Sequence, residues 1–90
     1  MEYRADVTVV NQVGLHARPA ANLVKEAMKY PAKIRIEAGD RKADAKSILQ
    51  VLALGVKKDT TVTLVAEGER AEEALGALVT FIASGLGEGP

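Results

Sequence analysis

Residues 13–28, "VGLHARPAANLVKEAM", decide the fold of this chain, because the apolar spacing changes inside them. Ahead of them, Tyr3, Ala5, Val7 and Val9 alternate with Arg4, Asp6 and Thr8, which predicts a strand with one dry face. "NQVG" (11–14) interrupts that strand. From Ala20 onward the apolar residues are Ala20, Leu23, Val24, Ala27 and Met28. Those positions are i, i+3, i+4, i+7 and i+8, the stripe of a helix that faces a core. Pro19 suits the first helical turn, where a missing N–H costs nothing. Pro31 marks a boundary after the helix.

The elements beyond follow the same logic. Ile34, Ile36 and Ala38 alternate with Lys33, Arg35 and Glu37 as a second strand, and "GD" (39–40) is a turn signal. Arg41 to Ala45 is the return strand, with a pattern weak enough for a short or edge position. "KSILQVLALG" (46–55) reads as a short helix. Ser47 with Gln50 three positions on matches a capping box, and Gly55 stands where a C-terminal glycine cap belongs. Val62, Leu64 and Ala66 alternate with Thr61, Thr63 and Val65 as a fourth strand. Ala71, Ala74, Leu75, Leu78, Val79 and Ile82 form the stripe of a long amphipathic helix. The glycine-rich end, residues 85–90, is expected to be a flexible tail with nothing to bury.

Strand, helix, strand, strand, helix, strand, helix is the predicted order, in a single domain over residues 1–90. Each strand has one apolar face and each long helix one apolar stripe. The economical arrangement is an α+β two-layer sandwich, open on one side, with a four-stranded antiparallel sheet covered on one face by three helices. A ferredoxin-like split βαβ is the nearest alternative.

Composition narrows the function. Net charge is zero and aromatic residues are 3 %, against the basic footprint and stacking rings that nucleic acid requires. With no cysteine and one histidine, neither a disulfide framework nor a thiolate or multi-histidine metal site is expected. No stretch resembles a signal peptide or a membrane span. Cytoplasmic location, a monomeric state and no membrane insertion are the resulting expectations. No Gly-rich nucleotide loop of the GxxxxGK[ST] type is present, so the chain is expected to use no cofactor and to rely on other proteins for any phosphoryl group.

The lone His16 stands at the predicted mouth of the first helix. Helix N-termini present free N–H groups and the positive end of a dipole, which together suit a phosphate. A neutral imidazole nitrogen is a nucleophile. Arg18 offers planar, permanently charged donors to phosphoryl oxygens. Gly14 permits a close approach of backbone or partner. A simpler role for His16, as a cap or a surface residue, stands beside this one.

"GLHARPA" (14–20) followed by "KSILQVLALGV" (46–56) resembles the HPr family, the histidine-containing phosphocarriers of the bacterial phosphoenolpyruvate:sugar phosphotransferase system. The resemblance covers nearly the whole chain, and the first motif is the more specific. It implies that His16 accepts a phosphoryl group on Nδ1 from enzyme I and passes it to IIA components of sugar permeases. It implies that Arg18 and the amide of Ala17 cradle that group. It further implies that Ser47 matches the serine that a kinase phosphorylates for regulation in many members, with a phosphatase and a transcriptional regulator as further partners. Capping alone also explains Ser47. Val13 departs from the family pattern, where a small or polar residue is common.

The short second helix has more apolar residues than one face can bury. Ile48, Leu49 and Leu52, together with Leu15 and Ala17, are the expected exposed patch for docking partners; full burial of the short helix is the alternative. Two other readings share this fold: a nitrogen-related phosphotransferase branch, and a binding protein regulated through phosphorylated Ser47. In none of these readings is the chain itself an enzyme.

Overall fold

The computed structural model describes residues 1–89; the expected tail extends to Pro90, which lies outside the described residues. The elements are β1 (Glu2–Thr8), α1 (Ala17–Ala27), β2 (Lys33–Ala38), β3 (Arg41–Asp44), α2 (Ile48–Ala53), β4 (Thr61–Glu67) and α3 (Ala71–Ala83). The strands lie in the order β1-β4-β2-β3, and every ladder is antiparallel. β4 therefore separates β1 from β2. In the ferredoxin-like alternative β3 would lie there.

All three helices cover one face of the sheet. That face carries Val7 beside Val62, then Ala5, Leu64, Ile36 and Ala43 in a row across all four strands, then Tyr3, Ala66 and Ile34. α3 rests on β1, β4 and β2, while α1 packs between α2 and α3. Leu23 of α1, Val51 of α2, and Leu78 and Ile82 of α3 are fully buried in the layer between. Met28, predicted in the α1 stripe, falls just past the helix and is exposed. The helix stops at Ala27 with Met28 as its cap, so the periodicity no longer applies there.

The other face has no helix, yet Val65 is buried on it. Its neighbours across the two ladders are Arg4 and Arg35. Arg4 of β1 reaches over β4 to Glu37 of β2 at 3.1 Å, and Arg35 binds the same carboxylate at 2.7 Å. The aliphatic stems of the two arginines roof Val65 while their charged ends meet at Glu37. The hydrogen bond from Arg35, helped by the nearby Arg4 charge, holds the Glu37 carboxyl below the ordinary glutamate range.

Two expectations on local structure are corrected. At α2, Ser47 is the N-cap and its hydroxyl accepts from the Gln50 N–H at 3.3 Å, as a capping box requires. The reciprocal arm is absent: the Gln50 side-chain oxygen accepts from the Asp44 N–H at 2.9 Å, and the Ser47 N–H is taken by the Asp44 carbonyl. Residues 85–89, expected to be loose, fold back on α1. Leu86 is fully buried, and Asn22 of α1 donates to its carbonyl at 2.9 Å. The glycines on both sides hid this, because one isolated leucine shows no periodicity.

Candidate functional site

His16 is the N-cap of α1. Its backbone is extended (φ −76°, ψ −174°), and its ring makes no capping hydrogen bond. The His16 carbonyl accepts from the Ala20 N–H at 2.8 Å, so backbone alone starts the helix. The imidazole is exposed and uncommitted, which argues against the simple capping role. Ala17 and Arg18 fill the first two helical positions. Their N–H groups have no carbonyl one turn earlier to bind, and Pro19 in the third position has no N–H at all. His16 is thus followed at the helix start by two amides without intrahelical acceptors, with the Arg18 guanidinium two residues on. Ala17 is exposed and contributes its amide, while Pro19 is buried and stiffens the turn.

The loop before His16 is held from behind. Gly14 has φ +63°, and a β-carbon there would overlap the Val56 carbonyl oxygen and lie 2.7 Å from the Lys57 α-carbon. The close approach foreseen at Gly14 is thus made by the chain's own backbone. Leu15 N–H donates to the Val56 carbonyl at 2.9 Å, tying this loop to the segment after α2. Asn11 is buried, and its side-chain amide donates to the Gly14 carbonyl at 2.7 Å. Its Oδ1 is buried without a hydrogen-bond partner. Sequence reasoning missed Asn11; the only signal was an asparagine at the entrance of a turn.

The expected docking surface needs one correction. Leu15 is 3 % exposed and belongs to the core. It follows a left-handed glycine whose turn points the leucine inward, between the layers. Ile48, Leu49 and Leu52 are solvent-facing, Leu49 at 76 %. Val51 is buried, so α2 has one inward residue and an apolar outer side. Full burial of the short helix is excluded. The Lys46 ammonium, next to Ser47, donates to the Tyr30 carbonyl at 2.6 Å.

Arg18 extends into solvent and meets Glu88, Nε to Oε2 at 3.6 Å. Nothing in the sequence linked these residues, because the pairing exists only once the chain end folds back. Among the described residues no cluster of acidic, histidine or cysteine side chains could hold a metal ion, and no helix is long and apolar enough to cross a membrane.

The chain is an antiparallel open-faced sandwich that presents one free imidazole at a helix N-terminus, two residues before an arginine. The family described as "PTS HPr component phosphorylation site" matches residues 3–84. The chain is similar to the Phosphocarrier protein HPr of Pseudomonas aeruginosa, with 41 % identity over 93 % of this chain and 94 % of that one. It also resembles the Multiphosphoryl transfer protein of Haemophilus influenzae, with 45 % identity over 90 % of this chain, but it spans only 17 % of that longer protein. The crystal structure of HPr-C-His from Thermoanaerobacter tengcongensis superposes with a TM-score of 0.92 at 42 % identity, covering 98 % of this chain and 99 % of that one. The chain belongs to the HPr phosphocarrier family of the bacterial phosphotransferase system. The relatives that this chain matches over nearly their whole length are named as phosphocarriers.

Proposed function

We propose that this chain accepts a phosphoryl group on His16 from enzyme I and delivers it to IIA components of sugar permeases. The observation that carries this reading is the exposed, uncapped imidazole of His16 at the start of α1. The amides of Ala17 and Arg18 and the Arg18 guanidinium are the donors for the phosphoryl oxygens. Transfer requires positioning and charge stabilisation more than covalent help from the carrier. The outer side of α2, with Ile48, Leu49 and Leu52, is the docking surface for both partners, used in turn. Rapid exchange favours a small interface and modest affinity. The protein acts in the cytoplasm as a monomer. Ser47 is the residue a regulatory kinase would modify, and a phosphatase and a transcriptional regulator would then read its state.

Incubation with enzyme I, Mg²⁺ and phosphoenolpyruvate, followed by intact mass, tests the reading. The expected result is one added phosphate that acid removes and that His16→Ala never acquires. No gain from an active donor overturns it. A nitrogen-related branch shares the first step and differs in the acceptor, so onward transfer to a sugar IIA component separates the two.

A further inference from the structure

The turn before His16 is closed from both directions. Gly14 N–H donates to the Asn11 carbonyl at 3.2 Å, and the Asn11 side-chain Nδ2 donates to the Gly14 carbonyl at 2.7 Å. Asn11 follows a fixed point in the chain. Val9 N–H donates to the Thr60 carbonyl at 2.9 Å, and the Val9 carbonyl accepts from the Asp59 N–H at 2.7 Å. Asn11 is the one buried polar side chain among the described residues, at 1 % exposure. Its Oδ1 accepts no hydrogen bond. A buried acceptor without a donor costs desolvation that no bond offsets, a cost an apolar side chain avoids. What distinguishes asparagine at this position is therefore the Nδ2 bond to Gly14.

The carbonyl that Nδ2 holds has a second claimant. An α-helix pairs each N–H with the carbonyl four residues earlier, as Ala20 N–H does with the His16 carbonyl. Pro19 has no N–H to offer, so the next pairing back would join Arg18 N–H to the Gly14 carbonyl. That pairing is not made. Gly14 has φ +63°, His16 is extended at ψ −174°, and the Gly14 carbonyl accepts from Asn11 instead. Among the described residues Arg18 N–H has no acceptor. The helix starts at Ala17 and no earlier.

We propose that Asn11 is a positioning residue for phosphoryl transfer: by claiming the Gly14 carbonyl it fixes where α1 begins and keeps the Arg18 N–H available to a phosphoryl oxygen on His16. The inference rests on the carrier reading above. Asn11 acts through Gly14 and not on the reacting atoms. Without its side-chain amide the Gly14 carbonyl is left bare, and the loop is free to carry it toward the open amides of the helix start. There it quenches an N–H that the phosphoryl group uses. It also sets a carbonyl dipole of the wrong sign against the phosphoryl oxygens. The apolar outer side of α2, with Ile48, Leu49 and Leu52, lies on a different element and is unaltered. Loss of Asn11 therefore falls on turnover and leaves recognition intact.

Steady-state phosphorylation by enzyme I, with Mg²⁺ and phosphoenolpyruvate and with the carrier as the varied substrate, tests the proposal on wild type and Asn11→Ala. Ile36→Val, a buried truncation in β2 outside the loop, is the control for lost stability. Asn11→Ala is expected to lower kcat about tenfold while KM stays within about two-fold of wild type. Ile36→Val is expected to match wild type in both. An unchanged kcat in folded Asn11→Ala overturns the proposal. So does an equal fall in Ile36→Val, because that would mean stability alone sets the rate. Hydrogen exchange on wild type by NMR covers the case in which Asn11→Ala does not fold. It is expected to show the Asn11 side-chain N–H protected and the Arg18 N–H open. An unprotected Asn11 side chain, or a protected Arg18 N–H in the unphosphorylated protein, overturns the proposal too. If wild type takes no phosphate from an active donor, the carrier reading itself fails, an outcome distinct from a slow variant.

Discussion

Leu15 N–H donates to the Val56 carbonyl at 2.9 Å, and the α-carbon of the preceding Gly14 lies so close to that oxygen that no β-carbon fits. This single contact joins the loop that presents His16 to the segment that follows α2. The His16 loop and the apolar outer side of α2 are therefore tied together through backbone.

Gly14→Ala combines left-handed strain with a backbone overlap. A loss of about 2–4 kcal/mol is expected, and phosphoryl acceptance is expected to slow because the His16 loop must shift. Urea unfolding followed by a timed phosphorylation assay checks both. Wild-type stability in this variant would mean that the two loops are not locked together.

Leucines 15 and 49 should behave in opposite ways. Leu15→Ala is expected to cost about 2–5 kcal/mol of stability, as for a buried leucine. Leu49→Asp is expected to change stability by no more than about 0.5 kcal/mol and to weaken enzyme I binding about tenfold or more. Thermal unfolding and a binding titration on each variant give the comparison. Undiminished binding by folded Leu49→Asp would remove α2 from the docking surface.

At Ser47, capping and modification can be separated by substitution. Ser47→Ala loses the hydroxyl that accepts from Gln50 N–H and is expected to cost about 1 kcal/mol. Ser47→Asp keeps an acceptor at the cap and adds a charge of favourable sign for a helix start, so stability is expected to be retained. With a cognate kinase and ATP, wild type is expected to gain one phosphate by intact mass and both variants none. Phosphate gained equally by Ser47→Ala would place the modification elsewhere.

The Glu37 carboxyl is held below its ordinary range, first by the hydrogen bond from Arg35. A carboxyl depressed in the folded state stabilises the fold above its unfolded pKa, and that contribution is lost as pH falls through the folded value. Stability should therefore decline on acidification below about 4.5, the ordinary glutamate value. Glu37→Gln is expected to flatten that part of the decline while lowering stability at neutral pH. Urea midpoints at pH 7 and pH 3 for both proteins check the sign; identical slopes would mean the two arginines leave Glu37 energetically unaffected.

The elements were legible because each one obeys a local rule. Period-two alternation marks β1, β2 and β4, and the 3.6-residue stripe marks α1 and α3. Ser47 and Gly55 bracket α2 through cap chemistry that needs no tertiary contact. His16 and Arg18 were legible for the same reason, since they lie two residues apart on one helix start. Residues whose neighbours come from distant parts of the chain were misjudged. Leu15 read as surface because the turn that buries it depends on Val56, some forty residues later. Val65 sat on the polar side of its strand, and only arginines from two flanking strands cover it. Leu86 looked unpartnered among glycines until the chain end folded back onto Asn22 and Phe81.

Spacing and side-chain chemistry along the chain thus determined the layers, the order of the elements and the placing of a lone nucleophilic imidazole at a helix mouth. Tertiary structure alone decided the β1-β4-β2-β3 strand order, the burial of Leu15 and Val65, and the meeting of Arg18 with Glu88. Local rules act over one or two turns and leave long-range partners unspecified. Those are chosen when the apolar stripes compete to exclude water from one shared core.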